Sequence, residues 1–183
     1  MSTTFSGQVQ QIGERLVVRL PQGASSELPS RGQVAVEARV TGGAGDERHD
    51  WSTVIEPDGR KGHWLAVDAE LQAALSLRDG DRVEVKVEPA AGWPEPELPE
   101  DLDAALADAP DIADSWADIT PMARWEWVRW VGATKNPDTC ERRIEVSVDK
   151  LRKGSRRPCC FDLSSCTDPE LAKSGKLIEV DPS

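Results

Sequence analysis

The sequence has no tyrosine and only two phenylalanines among 183 residues, but it has seven tryptophans. Bulky apolar packing therefore depends on tryptophan, whose large ring is best accommodated by burial. Trp127, Trp130 and Val131 share one face at i, i+3 and i+4 spacing, which predicts a helix over residues 121–131 with that face in a core. Trp125 lies beside this face, so we expect it to be the tryptophan that a protein or peptide partner could contact.

Long apolar runs are also missing. No stretch approaches the roughly 18 apolar residues of a membrane-spanning helix. Residues 1–5 have neither the basic nor the apolar segment of an export signal, which predicts a cytoplasmic protein without membrane insertion. With 38% hydrophobic and 30% charged residues, the chain is predicted to fold as a globular protein.

Basic residues are missing from one long segment. Residues 94–120 contain nine acidic residues and no basic one, whereas residues 121–183 contain 12 basic and 10 acidic residues. At a net charge of −11, most of the surface repels phosphate groups, which argues against nucleic acid as the partner. A protein, a peptide or a small ligand remains to be considered.

The basic residues concentrate in a short stretch after the acidic segment. They are Arg142, Arg143, Lys150, Arg152, Lys153, Arg156 and Arg157. Such a run could bind phosphate or another anion. Because the acidic segment lies close by in the sequence, we instead expect the two to pair within the protein.

The first ninety residues are rich in short alternating segments bounded by Gly, Pro and Asp. The predicted strands are residues 5–11, 16–20, 33–40, 51–55, 63–67 and 82–88. Each has one apolar and one polar face, so the strands must enclose a core. A small antiparallel β-barrel satisfies this requirement and also removes exposed sheet edges.

Proline separates this half from a helical one. The predicted linker, residues 91–98, contains Pro94 and Pro96, which are excluded from helix interiors and central strands. The predicted fold class is α+β, with a small N-terminal barrel followed by a helical domain and an irregular tail. The predicted ranges are 1–90 for the barrel, 99–153 for the helical domain, with helices starting near 99, 111, 121 and 137, and 154–183 for the cysteine-containing tail, with a short strand at 177–180.

Both halves resemble known bacterial families. The segments that carry the first resemblance are Phe5, Val17–Pro21 and the closing stretch Leu77–Val85, which resemble the barrel called domain of unknown function 1905. The helical half resembles the YdeI/OmpD-associated family, also labelled bacteriocin-protection, at Leu98–Leu102, Ala105, Leu106, Trp130, Val131, Lys135, Thr139 and Arg142–Ile144. The resemblance implies a two-domain protein with a role in envelope stress or protection against antimicrobial peptides. It brings no catalytic residues with it.

Four cysteines, Cys140, Cys159, Cys160 and Cys166, lie in the last third of the sequence. In the cytoplasm we expect them to be reduced. Tetrahedral zinc usually takes its thiolates from Cys-x2-Cys pairs, and the adjacent pair here does not fit that spacing. We therefore predict no cofactor and keep zinc as an alternative. A redox-sensitive role stays open too, because nearby basic residues favour reactive thiolates.

Residues typical of catalysis are few. His49 lies among acidic residues beside the glycine-rich stretch 42–45, but no nucleophile accompanies it in a recognisable motif. We assign no catalytic residue and favour binding over chemistry. An enzyme with its site at the domain interface, using carboxylates with Lys135 or Arg142, remains the second alternative after the redox or metal-binding one.

Candidate binding residues lie in both halves. In the barrel they are Trp51, His63 and Trp64, which could line a ligand site at the barrel mouth. In the helical half they are Trp125, Lys135, Arg142 and Arg143. The sequence thus predicts a non-enzymatic binding or stress-associated module.

Overall fold

The computed structural model describes residues 1–158 and 162–181. It divides the chain into two compact units. The first comprises residues 1–94, 163–166 and 170–183, and the second comprises residues 95–162 and 167–169.

The first unit is a closed antiparallel barrel of six strands, as predicted. The strands are β1 (Thr3–Ile12), β2 (Arg15–Arg19), β3 (Val34–Gly42), β4 (Arg48–Pro57), β5 (His63–Val67) and β6 (Arg82–Pro89). Their order around the barrel is β1-β2-β5-β4-β3-β6. Two short helices join strands, α1 (Gln22–Ser26) and α2 (Ala69–Leu75). The Asp68 carboxylate caps α2 by accepting a 2.8 Å hydrogen bond from the Leu71 amide.

Strand alternation fills the barrel interior. On β3 the buried side chains include Val36, Ala38 and Val40, and on β6 they include Val85 and Val87, while alternate residues such as Glu37, Arg39 and Glu84 are exposed. This is the period-two pattern that predicts the strands from the sequence. Leu71 and Leu75 of α2 complete the interior.

The outer side of the barrel is covered by a chain segment that returns after the helical unit. This segment contains a short hairpin, β7 (Ala172–Lys173) and β8 (Lys176–Leu177). Its buried side chains Cys166, Leu171 and Leu177 pack against outward-facing residues of the barrel, Ile12, Val17 and Trp64. The strand predicted over residues 177–180 is present only as β8, because the segment is held by side-chain burial rather than by a longer ladder.

The second unit consists of four helices and one turn of 3₁₀ helix. The helices are α3 (Glu100–Ala107), α4 (Ala113–Asp118), α5 (Pro121–Gly132) and α6 (Pro137–Arg152), and the 3₁₀ turn is Pro110–Ile112. Thr120 and Asn136 cap α5 and α6 through side-chain hydrogen bonds to amides of the first turn. Among the described residues, every helix is too short or too polar to cross a membrane.

Trp127 and Trp130 organise the core of the helical unit. Trp127 is fully buried, and its ring meets that of Trp130 edge-on at 6.3 Å. Trp127 Nε1 donates a 3.2 Å hydrogen bond to the Arg156 carbonyl. The tryptophan face predicted from the sequence is therefore a packing face.

Candidate functional site

A groove of about 700 Å³ lies between α3 and the first turns of α6. Its lining residues are Asp101, Ala104, Ala105, Asp108, Thr134, Lys135, Asn136, Pro137, Cys140, Glu141, Ile144 and Glu145. The size lies within the range of ligand pockets, which is about 300–1,000 Å³. It is the candidate site of the helical unit.

The two helices run in the same direction, which fixes the order of the groove residues. Leu102, near the start of α3, belongs to the same core cluster as Ile144 of α6. Ile112, beyond the end of α3, shares a cluster with Leu151, near the end of α6, and Arg152 beside it donates a hydrogen bond to Asp111. Asp101 therefore lies toward the start of α6, and Asp108 lies farther along it.

Small and apolar side chains form the floor of the groove. Ala105, Cys140 and Ile144 belong to the core cluster beneath it. Ala104 and Ala105 of α3 line the groove with short side chains, which leave space above them. An apolar floor of this kind favours a ligand with an apolar face.

Carboxylates form the rim. Asp101 lies in the first turn of α3, and Asp108, seven residues later, is the helical-conformation residue that caps its end. Glu141 and Glu145 are four residues apart on α6, so each pair lies on one helical face. All four are exposed, and within residues 1–158 and 162–181 none makes an ion pair. With Lys135 as the single basic lining residue, the groove attracts cations.

The start of α6 is already satisfied and offers no free amides to an anion. Asn136 Oδ1 accepts hydrogen bonds from the Asp138 and Thr139 amides at 2.9 and 3.2 Å. Pro137 has no amide hydrogen, and the Cys140 amide donates to the Asn136 carbonyl at 3.0 Å. The Lys135 ammonium is therefore the groove's attractive group for anions.

Two predicted site residues, Lys135 and Cys140, line this groove, whereas two others lie elsewhere on α6 or serve the fold. Arg142 is exposed and is not part of the groove lining. Arg143 donates a 2.8 Å hydrogen bond to the Trp130 carbonyl, and its guanidinium lies 5.4 Å from the centre of the Trp130 ring. Arg143 thus stabilises the packing of α5 on α6.

Trp125 is half-buried rather than fully exposed. It lies on α5 beside the buried residues Glu126 and Trp127. Its contact with a partner stays a prediction.

His63 and Trp64 are buried inside the fold. His63 is 1% exposed, with Nδ1 2.7 Å from Ser25 Oγ and Nε2 3.1 Å from the Gly32 carbonyl oxygen. Burial lowers the pKa of His63, so the neutral ring is favoured, with Nε2 donating to Gly32 and Nδ1 accepting from Ser25. Trp64 packs under the returning segment and donates from Nε1 to the Pro57 carbonyl at 3.1 Å.

Trp51 contributes to a smaller cavity of about 290 Å³ at the outer face of β3, β4 and β6. Four of the charged side chains that line this cavity form two ion pairs with one another. Arg39 donates to Asp50 at 2.6 Å, and Lys86 lies 2.9 Å from Glu88. A ligand would have to displace these pairs, so this cavity is the weaker candidate.

Cys140 and Cys166 are thiols outside any disulfide, and they belong to different units. Cys159 and Cys160 lie outside the described residues. Within the part of the chain that the structure describes, no group of three His, Cys, Asp or Glu side chains is placed to hold a metal ion. The zinc and redox alternatives gain no support from the two thiols that are described.

The basic run pairs with acidic residues of its own unit, as the charge distribution predicts. Arg152 donates to Asp111 at 2.5 Å, and Arg156 donates to Asp118 at 2.5 Å. Arg157 forms a two-pronged pair with the buried carboxylate of Glu126, with its Nε 2.6 Å from Oε2. These residues are therefore structural.

Known families match both units. Residues 5–87 match the family described as a domain of unknown function (DUF1905), and residues 95–154 match the family described as Bacteriocin-protection, YdeI or OmpD-Associated. The two matches follow one another along the chain without overlap. The groove between α3 and α6 lies wholly within the YdeI/OmpD-associated match.

Other comparisons add little. No curated protein matches the chain. Among solved structures, it is similar to the solution structure of PHS018 from Pyrococcus horikoshii, at 17% identity and a TM-score of 0.36, over 47% of this chain and 88% of that one.

The carboxylates of the rim are the groove residues that sequence reasoning missed. Asp101, Asp108, Glu141 and Glu145 each look like ordinary solvated residues of an acidic protein. The available signal was their spacing of seven and four, which places each pair on one helical face. That two such faces meet depends on the packing of α3 against α6.

Proposed function

We propose that this protein is a non-enzymatic binding module and that the groove of its YdeI/OmpD-associated domain takes a cationic, amphipathic peptide segment. The observation that carries the proposal is the combination of an apolar floor with four unpaired rim carboxylates among the described residues. Apolar contact and charge then favour the same class of ligand.

The family description is compatible with this choice, since it names bacteriocin protection and binding of the toxic peptide is one way to protect against it. A role in protection against antimicrobial peptides therefore belongs to the proposal. The second unit supplies the site, and the proposal requires no reaction.

Typical free energies indicate how much each kind of contact would contribute to peptide binding. Burying about 200 Å² of apolar surface contributes about 5 kcal/mol. Each exposed ion pair contributes about 0.2–1 kcal/mol. Apolar contact would therefore supply most of the affinity, and the carboxylates would select for cations. After the cost of association, we expect a Kd of about 10–100 μM at low salt.

The first test is calorimetric titration with a synthetic peptide of about 12 residues, made of lysine, leucine and alanine in helical spacing. The variant Glu141→Lys with Glu145→Lys reverses two rim charges. We expect it to weaken binding at least about tenfold, because two attractions become repulsions. Raising the salt concentration should weaken wild-type binding as well.

The matched control is Asp46→Lys with Glu47→Lys, which makes the same change in net charge at exposed residues of the barrel unit. This control should bind like the wild type. Equal weakening in both double variants would show that only net charge matters, and tighter binding of a glutamate-for-lysine version of the peptide would rule out a cationic ligand.

A further inference from the structure

We infer that Lys135 gives the groove a direction, so that a bound peptide lies with its C-terminal carboxylate at Lys135 and its N-terminus toward Asp108 and Glu145. This inference rests on the proposed peptide-binding function. It follows from the order of charges along the groove, which runs from one cation to two successive pairs of carboxylates.

Lys135 stands at one end of this order. It precedes α6, whose second turn contributes Glu141 and whose third turn contributes Glu145. Because α3 and α6 run in the same direction, Asp101 lies toward the Lys135 end and Asp108 toward the other. The span from the start of α6 at Pro137 to Glu145 is about 12 Å, which a helical peptide of about eight residues covers.

Lys135 is also available to a ligand. Its side chain is exposed, and among residues 1–158 and 162–181 it has no hydrogen bond or ion pair. The Asn136 cap occupies the neighbouring amides. The one attraction for an anion in this groove is therefore concentrated on the Lys135 ammonium.

A peptide has opposite charges at its two ends, and in a helix the backbone dipole adds to them. With its carboxylate at Lys135, its amino end meets Asp108 and Glu145, so both ends are attracted. In the reverse direction the carboxylate lies among like charges and the amino group lies near a lysine. Because the terminal charges are the same in an extended peptide, the preferred direction does not require a helix.

The experiment compares two forms of the same lysine-leucine-alanine peptide, one with a free C-terminal carboxylate and one with a C-terminal amide. Wild-type protein should bind the free acid about two- to fivefold more tightly, the size of one exposed ion pair. Lys135→Met removes the charge and keeps the apolar stem, so the preference should disappear. Lys173→Met, at an exposed lysine of β7, is the control and should keep it.

A spin label on the peptide gives the direction independently of affinity. A label at the C-terminus should broaden the amide signals of Thr134 and Asn136 in NMR spectra, and a label at the N-terminus should broaden that of Asp108. The opposite pattern would overturn the inference.

The outcomes separate the two proposals. If neither peptide binds, the peptide-binding function fails and the inference fails with it. If both bind equally, and Lys135→Met changes nothing, the groove binds peptides without direction and only the inference fails. Circular dichroism of Lys135→Met should match the wild type, because the replaced side chain is exposed.

Discussion

His63 has a structural role that the sequence does not indicate. The sequence predicts it, with Trp64, as a lining residue of a ligand site, and both side chains are buried. His63 instead joins Ser25 of α1 and the Gly32 backbone to β5. A buried imidazole with both nitrogens in hydrogen bonds to neutral groups resists protonation.

The first prediction concerns the pH dependence set by His63. Burial lowers its pKa in the folded protein, so the unfolded chain binds the proton more tightly. The barrel should be fully stable with respect to this residue above pH about 6.5, the unfolded value, and should lose stability as the pH falls from there toward the folded pKa, by at most about 1.4 kcal/mol per pH unit. Denaturant unfolding at several pH values measures this.

Two variants test whether His63 causes this pH dependence. His63→Gln should remove the histidine contribution to the pH slope, whatever it does to stability at neutral pH. His49→Gln replaces the only other histidine and should leave the slope intact. An unchanged slope in His63→Gln would show that other groups cause the dependence.

His63, Trp64 and Leu65 are buried one after another, which an alternating pattern of apolar and polar residues does not predict. Alternation predicts one buried face per strand, and it was sufficient for β3 and β6, where one face is exposed. Strands β2 and β5 are buried on both faces because another chain segment covers the outside. The run Leu16-Val17-Val18 was the available signal, since continuous apolar runs are typical of strands covered twice.

Among the helices, local signals gave the boundaries well. The predicted starts at residues 121 and 137 agree with α5 and α6, because proline at the first helical position follows a capping Thr120 or Asn136. The acidic helical segment predicted from residue 111 is a 3₁₀ turn followed by α4. The groove could not be predicted in this way, because it depends on α3 and α6 running in the same direction.

The pair between Arg157 and Glu126 links the segment after α6 to α5, and it leads to the next prediction. Glu126 is 4% exposed, so Arg157→Ala leaves a carboxylate largely buried without its main cation. We expect a loss of about 1–3 kcal/mol in the free energy of unfolding of the helical unit, with the lower values if water reaches the carboxylate. Urea unfolding followed by tryptophan fluorescence measures it.

Arg156 is the matched control. Its pair with Asp118 joins two exposed side chains, so Arg156→Ala should cost only about 0–1 kcal/mol. Equal losses in the two variants would argue that burial of Glu126 makes no difference.

Across the full chain, the least predictable feature is the return of residues 163–166 and 170–181 to the barrel. The sequence indicates a tail with turns, and nothing local states which surface it covers. The backbone of the returning segment comes very close to the barrel at Gly59. A Cβ on Gly59 would lie 1.9 Å from the Gly175 carbonyl oxygen. Gly59 also has a φ of 72°, which favours glycine.

The last prediction uses this approach. Gly59→Ala should displace the returning segment and expose Cys166, which is 3% exposed in the folded protein. In a background where the other three cysteines are serine, the reaction of Cys166 with a thiol reagent should become at least about tenfold faster, the change produced by about 1.4 kcal/mol of easier opening. Gly80→Ala is the control, because Gly80 has a φ of 90° and nothing lies within 4 Å of an added Cβ. Equal reactivity in both variants would mean that backbone strain, rather than the clash, loosens the segment.

The cover over Val17 and Trp64 has a consequence for the timing of synthesis. The last barrel strand ends at Pro89, whereas the covering side chains Leu171 and Leu177 come roughly 80 residues later. At about 5–20 residues per second, the ribosome needs about 4–16 s to make that interval. During that time a nascent barrel presents bare tryptophan and valine to solvent, which makes this face the expected contact for a chaperone acting on the growing chain.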